Sequence, residues 1–274
     1  ILGGLMTGML LAALDQTIVS TALKSIVEDF NGLDHYTWVV TAYLLTSTAS
    51  TPLYGKISDL YGRRPVFQFA IITFLIGSFA AGAATSMTQL IAFRAIQGLG
   101  AGGLMSLTFV IIGDIISPRE RGKYQGYFGG VWGLSSVAGP LLGGYFSDHA
   151  QILGVTGWRW IFYINLPIVA MCLFLVHRLI APFETPTKRE RIDIVGLVLL
   201  VIWVGCFQLM LDVGREHDWF ASTGIVALAI IAAVGLVAFV IWELTDPHPI
   251  VDLRVFRHRT LWVGTIAVSL GFGG

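Results

Sequence analysis

Charge is scarce in this chain. Only 12% of its 274 residues are Asp, Glu, Lys or Arg, about half the share in an ordinary water-soluble domain, while 55% are hydrophobic and the mean hydropathy is +0.76. Water is therefore not the solvent for most of its surface. Neither sign is in excess, since 17 basic and 17 acidic residues cancel, and this excludes the basic face that a nucleic-acid partner needs. Cysteine is almost absent. Cys172 and Cys206 both lie inside apolar runs, where a small polarizable side chain simply packs, and their spacing fits neither a disulfide framework nor a metal site. No nucleophile, base and orienting group converge and no metal-ligand spacing appears, so an enzyme is the least favoured class. The chain opens at Ile1 and stops at Gly274 inside an apolar run, and is expected to be a fragment. Its first apolar segment runs on into acidic sequence, unlike a cleaved signal peptide.

Long apolar runs, by contrast, are abundant. A spanning helix needs roughly 20 mostly apolar residues, and only such helices or closed barrels satisfy their backbone in lipid. Eight runs reach that length, at 1–23, 38–58, 66–84, 88–112, 124–146, 160–180, 192–211 and 221–244, and a ninth begins at Leu261. They are continuous and rich in Leu, Ala and Gly, not the ten-residue alternation of an outer-membrane barrel. The expected fold class is all-α and integral to the membrane.

The basic residues check this parsing independently. Lys56, Arg63 and Arg64, then Arg119, Arg121 and Lys123, then Arg178, Lys188, Arg189 and Arg191, then Arg254, Arg257 and Arg259 fall on one side. Only Lys24, Arg159 and Arg215 fall on the other, and Arg94 is left alone inside a span. A missed or invented helix would have mixed the two sets. By the positive-inside rule the N-terminus faces the cytoplasm of a multi-pass protein of the cell (inner or plasma) membrane. The charged, proline-broken segment PFETPTKRER (182–191) reads as a cytoplasmic connection. It divides a six-span bundle (1–180) from a linker and a further pair of spans (181–250), after which 251–274 opens another block. Trp158, Arg159 and Trp160 sit at the outer edge of the sixth span, where indoles favour the headgroup level.

Several motifs carry chemistry. Between the second and third spans lies GKISDLYGRRP (55–65). Gly55 and Gly62 permit a tight turn, and Asp59 precedes Arg63 by four residues, a spacing that lets the charges meet if the span end stays helical. An ordinary positive-inside loop would explain Lys56, Arg63 and Arg64 but not the placed glycines and Asp59. The segment resembles the loop signature of the major facilitator superfamily. That resemblance implies a conformational latch of Gly55, Asp59, Gly62, Arg63 and Arg64, joined by a charge at the end of the fourth span, here Asp114, and broken when the site opens inward.

In the fourth span, LIAFRAIQGLGAGG (90–103) holds the one basic residue inside a span. An arginine in lipid costs a few kcal/mol unless it faces a polar interior, so Arg94 is a functional candidate. Gln97 follows one turn later, with Ala101 and Met105 beyond it on the same face. The run resembles the superfamily's R-x-x-Q-G-x-G-A signature, which implies proton coupling by Arg94 and Gln97. Gly98, Gly100 and Gly103 also fit G-x-G-x-x-G, but without a preceding strand or a following acidic residue they exclude a dinucleotide site. Small residues here let helices approach closely.

The first span carries LDQTIVSTAL (14–23), with the carboxyl of Asp15 well inside the apolar stretch, an expensive place for it. The run is similar to the L-D-x-T-I-V-N-V-A-L-P signature of the EmrB/QacA-like, fourteen-helix drug/proton antiporters, from which Ser20, Thr21 and Lys24 depart. At 1.5 Å per residue Asp15 lies roughly 13 Å, and Arg94 roughly 9 Å, from the outer end of its span. The two share a depth. Either they are coupled, directly or through Gln97 and water, or each finds other partners.

The fifth span reads Gly126, Gly129, Gly130, Gly133 and then Gly139-Pro140-Leu141-Leu142-Gly143-Gly144. In water this density would wreck a helix, but in a bundle it makes a smooth, bendable packing face. The G-P-x-x-G-G core is similar to the antiporter signature, which implies an exporter with Gly133, Gly139, Pro140, Gly143 and Gly144 shaping the helix. WRWIFYINLP (158–167) looks like the fourteen-helix subfamily's entry to its sixth helix, and PIVDLRVF (249–256) before a new span fits the same arrangement.

The resemblance covers essentially the whole chain. It implies a six-helix bundle of two inverted three-helix repeats, two inserted helices, and the start of a second half that is absent. The implied activity is proton-coupled efflux of an amphipathic or cationic small molecule by alternating access, with the proton gradient as energy source and no cofactor or metal. Protons, the substrate, the lipid bilayer and the missing C-terminal half are the partners. Asp15 would accept the proton or cation. Tyr43, Met105 and Trp132, together with Asp15, are pocket candidates, although aromatic and Met residues inside spans more often only pack. Export of a lipid, peptide or siderophore stays open, as does a non-transporting membrane sensor, against which Asp15, Arg94 and the antiporter glycines argue.

Overall fold

The computed structural model describes residues 2–30, 32, 35–117, 120–179, 193–214, 218–247, 249–257 and 262–266. In lipid a chain satisfies its backbone within each span only as helix, and the apolar runs do so. The first of two units, Ile1–Arg189, contains α1 (Leu2–Phe30), α2 (Tyr36–Tyr61), α3 (Arg63–Gly82), α4 (Met87–Ile115), α5 (Arg121–Asp148), α6 (Trp160–Tyr163) and α7 (Asn165–Leu179). A two-stranded antiparallel hairpin, β1 (Gln151–Ile152) and β2 (Val155–Thr156), precedes α6. The second unit, Glu190–Gly274, contains α8 (Ile194–Val213) and α9 (Thr223–Thr245), then a 3-10 turn at Leu253–Arg257. Residues 262–266 of the ninth run are helical. The segment 182–191, with Lys188, Arg189 and Arg191, lies outside the described residues, as do Arg119, Arg215 and Arg259.

Among the described residues, six helical stretches are long and apolar enough to cross a membrane: α1, α3, α4, Gly157–Arg178, α8 and α9. The other two expected spans, α2 and α5, have 26 and 28 residues but dilute their apolar content with hydroxyls in α2 and glycines in α5. The α2 hydroxyls return to their own helix: Thr46 Oγ1 donates to Ala42 O at 2.9 Å and Thr51 Oγ1 to Ser47 O at 2.9 Å. They also mark the seam with α4. Ser50 Oγ donates across to Leu99 O at 3.2 Å, and a methyl added at Gly98 or Gly102 would overlap Thr46 Oγ1 or Ser50 Oγ. Small residues four apart thus let α2 lie directly on α4.

Two boundaries differ from expectation. α1 continues to Phe30, seven residues past 23, because a helix need not stop where its apolar stretch does; Lys24 and Glu28 face each other at 3.9 Å one turn apart on exposed surface. The sixth span is interrupted at Ile164. Pro167 has no N–H to return to the carbonyl four residues back, so the first turn of α7 starts afresh at Asn165.

The apolar core of the first unit is two clusters with a gap. One gathers Leu5, Met9, Phe67, Ile71, Phe74, Leu104, Leu107 and Val169; the other gathers Ile18, Ile26, Val39, Leu90, Trp158, Ile161 and Phe162. On α1 the changeover falls between Ala12 and Leu14, on α3 between Phe74 and Ala81, and on α4 between Leu90 and Ala101. The buried polar residues Ser78, Arg94 and Gln97 fall in those intervals on α3 and α4, with Asp15 just past the changeover on α1 and Asn165 between Phe162 and Val169.

Trp158 corrects an expectation. It does not face a headgroup layer: it is 2% exposed, its Nε1 donates to Asp29 Oδ2 at 3.0 Å, and its ring meets Phe30 and Phe162 edge-on. An indole inside a bundle needs an acceptor for its N–H, and the extended end of α1 supplies one. Arg159 Nη1 donates to Gly82 O at 2.7 Å.

In the second unit α8 and α9 pack on each other through Trp203 and Phe239. Asp193 caps α8 by accepting from Gly196 N at 2.9 Å and also takes Trp242 Nε1 at 2.9 Å. The buried Glu243 accepts from Val251 N at 3.0 Å.

Candidate functional site

The polar layer is one connected network. Arg94 Nη1 donates to Asp15 Oδ2 at 2.6 Å and to Gln97 Oε1 at 2.7 Å. Gln97 Nε2 donates to Asp15 Oδ1 at 2.7 Å, and Asn165 Nδ2 to the same oxygen at 3.0 Å. Asn165 Nδ2 also reaches Ser78 Oγ at 2.9 Å, and Ser78 Oγ donates to Phe162 O at 2.9 Å. Arg94 Nε donates to Val39 O at 3.4 Å, and its guanidinium carbon sits 4.1 Å from the Tyr43 ring centre. Tyr43 OH in turn donates to Ala12 O at 3.4 Å. Asp15, Gln97, Asn165 and Ser78 are 0% exposed and Arg94 is 1%.

Local sequence explains the convergence. Arg94 and Gln97 are three residues apart on α4 and so share a face. The glycines beside them let α2 and α3 close in, and a methyl at Gly77 of α3 would overlap the Gln97 backbone. Asp15 arrives from α1, and the break before α7 turns Asn165 inward. A buried ion pair is tolerated only where its remaining polar atoms are also partnered. Here the ionised carboxylate receives three donors, two of them from neutral amides. The Arg94 guanidinium also has Gln97 and the Tyr43 ring beside it.

Of the residues singled out in sequence for coupling, Asp15, Arg94 and Gln97 are brought together. Asn165 and Ser78 were missed. Asn165 is a polar side chain inside an apolar span, and that alone marks it as a candidate in lipid; Ser78 carries no such signal.

The glycines of α5 divide. Gly139 and Gly143 are buried against α1, where an added methyl would overlap Thr17 Oγ1 in the first case and crowd Ile18 O at 2.9 Å and Thr21 Cβ at 3.0 Å in the second. Thr17 Oγ1 also donates to Ser135 O at 3.0 Å. This contact begins two residues after Asp15. Gly133 and Gly144 have open space where a side chain would go, and Pro140 is exposed within an α5 that stays helical through it.

Of the residues expected to form a latch, Asp59, Arg63 and Asp114 meet at the shared end of α2, α3 and α4. Arg63 Nη1 stands 2.5 Å from Asp59 Oδ1 one turn earlier, Arg63 Nε donates to Asp114 Oδ2 at 3.0 Å, and Arg63 also donates to Ser58 Oγ. Gly62 joins α2 to α3 at φ 91°, a region costly for any residue with a Cβ. Arg64 turns away to α7, donating to His177 O at 3.1 Å. Gly55 has open space around it.

The pocket candidates separate. Tyr43 is buried under Arg94, Met105 is half-buried on the first apolar cluster, and Trp132 is 40% exposed on α5. None lines the cleft of about 370 Å³ walled by Leu2, Leu5, Ile112, Ile116, Glu120 and Tyr124.

The sequence matches the Major Facilitator Superfamily over residues 5–274. The chain belongs to that superfamily. Over 272 residues this major facilitator chain is 42% identical to Multidrug resistance protein 3 of Bacillus subtilis (strain 168), covering 99% of itself and 51% of that protein. It is 37% identical over 260 residues to Multidrug export protein EmrB of Escherichia coli (strain K12), covering 94% of itself and 50% of that protein. The chain spans about half the length of these curated relatives. Among solved structures it resembles a D-xylose-proton symporter with a TM-score of 0.59 at 18% identity, covering 88% of this chain and 66% of that one. It also resembles the human organic anion transporter MFSD10 with a TM-score of 0.55 at 17% identity, covering 89% and 71%. At these identities the likeness is one of fold: all-α, multi-pass and integral to the membrane.

Proposed function

We propose that this chain is the N-terminal part of a proton-coupled exporter of amphipathic or cationic drugs, working by alternating access in the cell membrane with its N-terminus in the cytoplasm. The observation that carries the reading is the buried pair of Asp15 and Arg94, fully enclosed and tied to Gln97. A charge pair this costly in lipid is expected where charge has work to do. Relatives named for multidrug resistance and multidrug export, at 37–42% identity, support the choice of cargo.

In this mechanism Asp15 holds Arg94 while ionised and releases it on taking up a proton. The released guanidinium stays with Gln97 and the Tyr43 face. The change at Asp15 passes along α1 to Thr17 and from there to Gly139 of α5, so the helix pair slides as the proton binds. The Arg63 fork at Asp59 and Asp114 holds the opposite ends of α2, α3 and α4 while the site faces outward, and opens with the inward-facing state.

Efflux of a cationic dye from proteoliposomes carrying the full-length protein, driven by an imposed pH gradient, tests this. Dye movement is expected to follow the gradient and to vanish in Asp15→Asn. Gradient-driven transport that persists in that variant would remove Asp15 from the mechanism. Proton flux without dye movement would point instead to a lipid, peptide or siderophore cargo.

A further inference from the structure

The atoms around Asp15 are unevenly matched. An ionised carboxylate only accepts hydrogen bonds, whereas a protonated one gains an O–H that needs an acceptor. Arg94 offers donors alone. Gln97 Oε1 already takes Arg94 Nη1 at 2.7 Å, and the Tyr43 hydroxyl gives its proton to Ala12 O. Each of these groups is already engaged, whereas Asn165, 0% exposed, holds an acceptor that is not. Its nitrogen serves both Asp15 Oδ1 and Ser78 Oγ, while its buried Oδ1 has no partner among the described residues. A buried amide oxygen left without a donor is costly, and it lies one amide rotation from a carboxylate.

We propose that Asn165 is a positioning residue that follows the charge of Asp15, donating through Nδ2 to the ionised carboxylate and presenting Oδ1 to the carboxylic acid. The inference rests on the reading of Asp15 as proton acceptor. The charged and titratable groups facing the site are Arg94 from α4 and Tyr43 from α2; α3 contributes the neutral Ser78 and α7 the neutral Asn165. When the amide turns over, its oxygen has two lone pairs for two hydroxyls, that of protonated Asp15 and that of Ser78, which gives up Phe162 O. The unpartnered oxygen of the ionised state is thus the acceptor that the protonated state requires. Because the exchange swaps one neutral group's donor for its own acceptor, no second charge has to enter the apolar gap between the two core clusters.

Infrared difference spectra of the full-length protein in lipid nanodiscs, recorded across a pH titration, separate the possibilities. In the unmodified protein a hydrogen-bonded carboxyl C=O band and a shifted asparagine side-chain amide band are expected to rise together. Asn165→Leu should lose the amide signal and move the carboxyl band to higher frequency, as its O–H loses its acceptor; Asn165→Gln should restore both. If Asn165→Leu fails to reach the membrane, Asn165→Ala makes the same deletion with less bulk. A carboxyl band unchanged in frequency in the Leu or Ala variant overturns the role of Asn165 and leaves Asp15 standing. A band that survives in Asp15→Asn defeats the reading of Asp15 itself, and this inference with it.

Discussion

Arg94 and Asp15 lie 79 residues apart in the chain, yet a guanidinium nitrogen of one stands 2.6 Å from a carboxylate oxygen of the other with neither side chain more than 1% exposed. Removing one member of such a pair leaves a bare charge in an apolar interior. Arg94→Ala is expected to cost about 3–5 kcal/mol, read by thermal unfolding of the full-length protein. Arg94→Lys keeps the charge but not the fork that reaches Val39, Gln97 and Asp15 together, and should fall between. An Arg94→Ala protein as stable as the parent would show that the pair carries little.

The split within α5 predicts unequal glycines. Gly139→Val drives a branched side chain into Thr17 and should cost on the order of 1–3 kcal/mol by overpacking while cutting drug efflux. Gly133→Ala and Gly144→Ala meet open space in this unit and should stay within about 0.5 kcal/mol of the parent. A parallel loss at all of these positions, measured by unfolding, would mean that the contact with α1 is not what matters.

Arg63 is the hinge of the fork, with its side chain 14% exposed against 48% for Asp59 and 41% for Asp114. Ion pairs this open to solvent are worth no more than about 1 kcal/mol, so Arg63→Ala should scarcely change the unfolding temperature. Transport should nonetheless slow severalfold, with Asp59→Asn and Asp114→Asn each slowing it less. A double-mutant cycle of Arg63 with Asp114 on the transport rate checks the link; strictly additive effects would deny it.

Trp158→Phe keeps an aromatic ring beside Phe30 and Phe162 but removes the N–H that Asp29 accepts. The expected loss is about 0.5–1.5 kcal/mol, the net value of one hydrogen bond. Thermal unfolding of Trp158→Phe beside Asp29→Asn measures it, and a stabilised Trp158→Phe variant would contradict the assignment.

Much of the site was legible before folding, and the reasons differ by residue. Asp15 and Arg94 stand out because charge is expensive in lipid, and a rise of 1.5 Å per residue placed them at one depth. The Asp59 and Arg63 spacing already implied a contact, since four residues make one helical turn. Asn165 carries the signal of a polar side chain in an apolar span, but its partners come from α1 and α3 and no local spacing points to them. Gly133 and Gly144 were grouped with Gly139 and Gly143 because a glycine pattern does not say which side of the helix has a neighbour. Trp158 was assigned to the membrane surface on residue type, and the reach of α1 to Asp29 lay beyond its apolar run.

Hydropathy and the loop motifs were sufficient by themselves for the all-α membrane class and for the residues most costly to bury. These are properties of short windows, fixed by backbone hydrogen bonding and the scarcity of charge in lipid. Which oxygen of Asp15 meets Arg94 and which meets Asn165, which glycines bear on α1, and where the apolar core parts to admit a polar layer were decided only by the packing of α1, α2, α3, α4 and α7 around one another. Hydrogen bonds act over about 3 Å and depend on angle, so partners 79 to 150 residues apart are settled when the helices dock and not before.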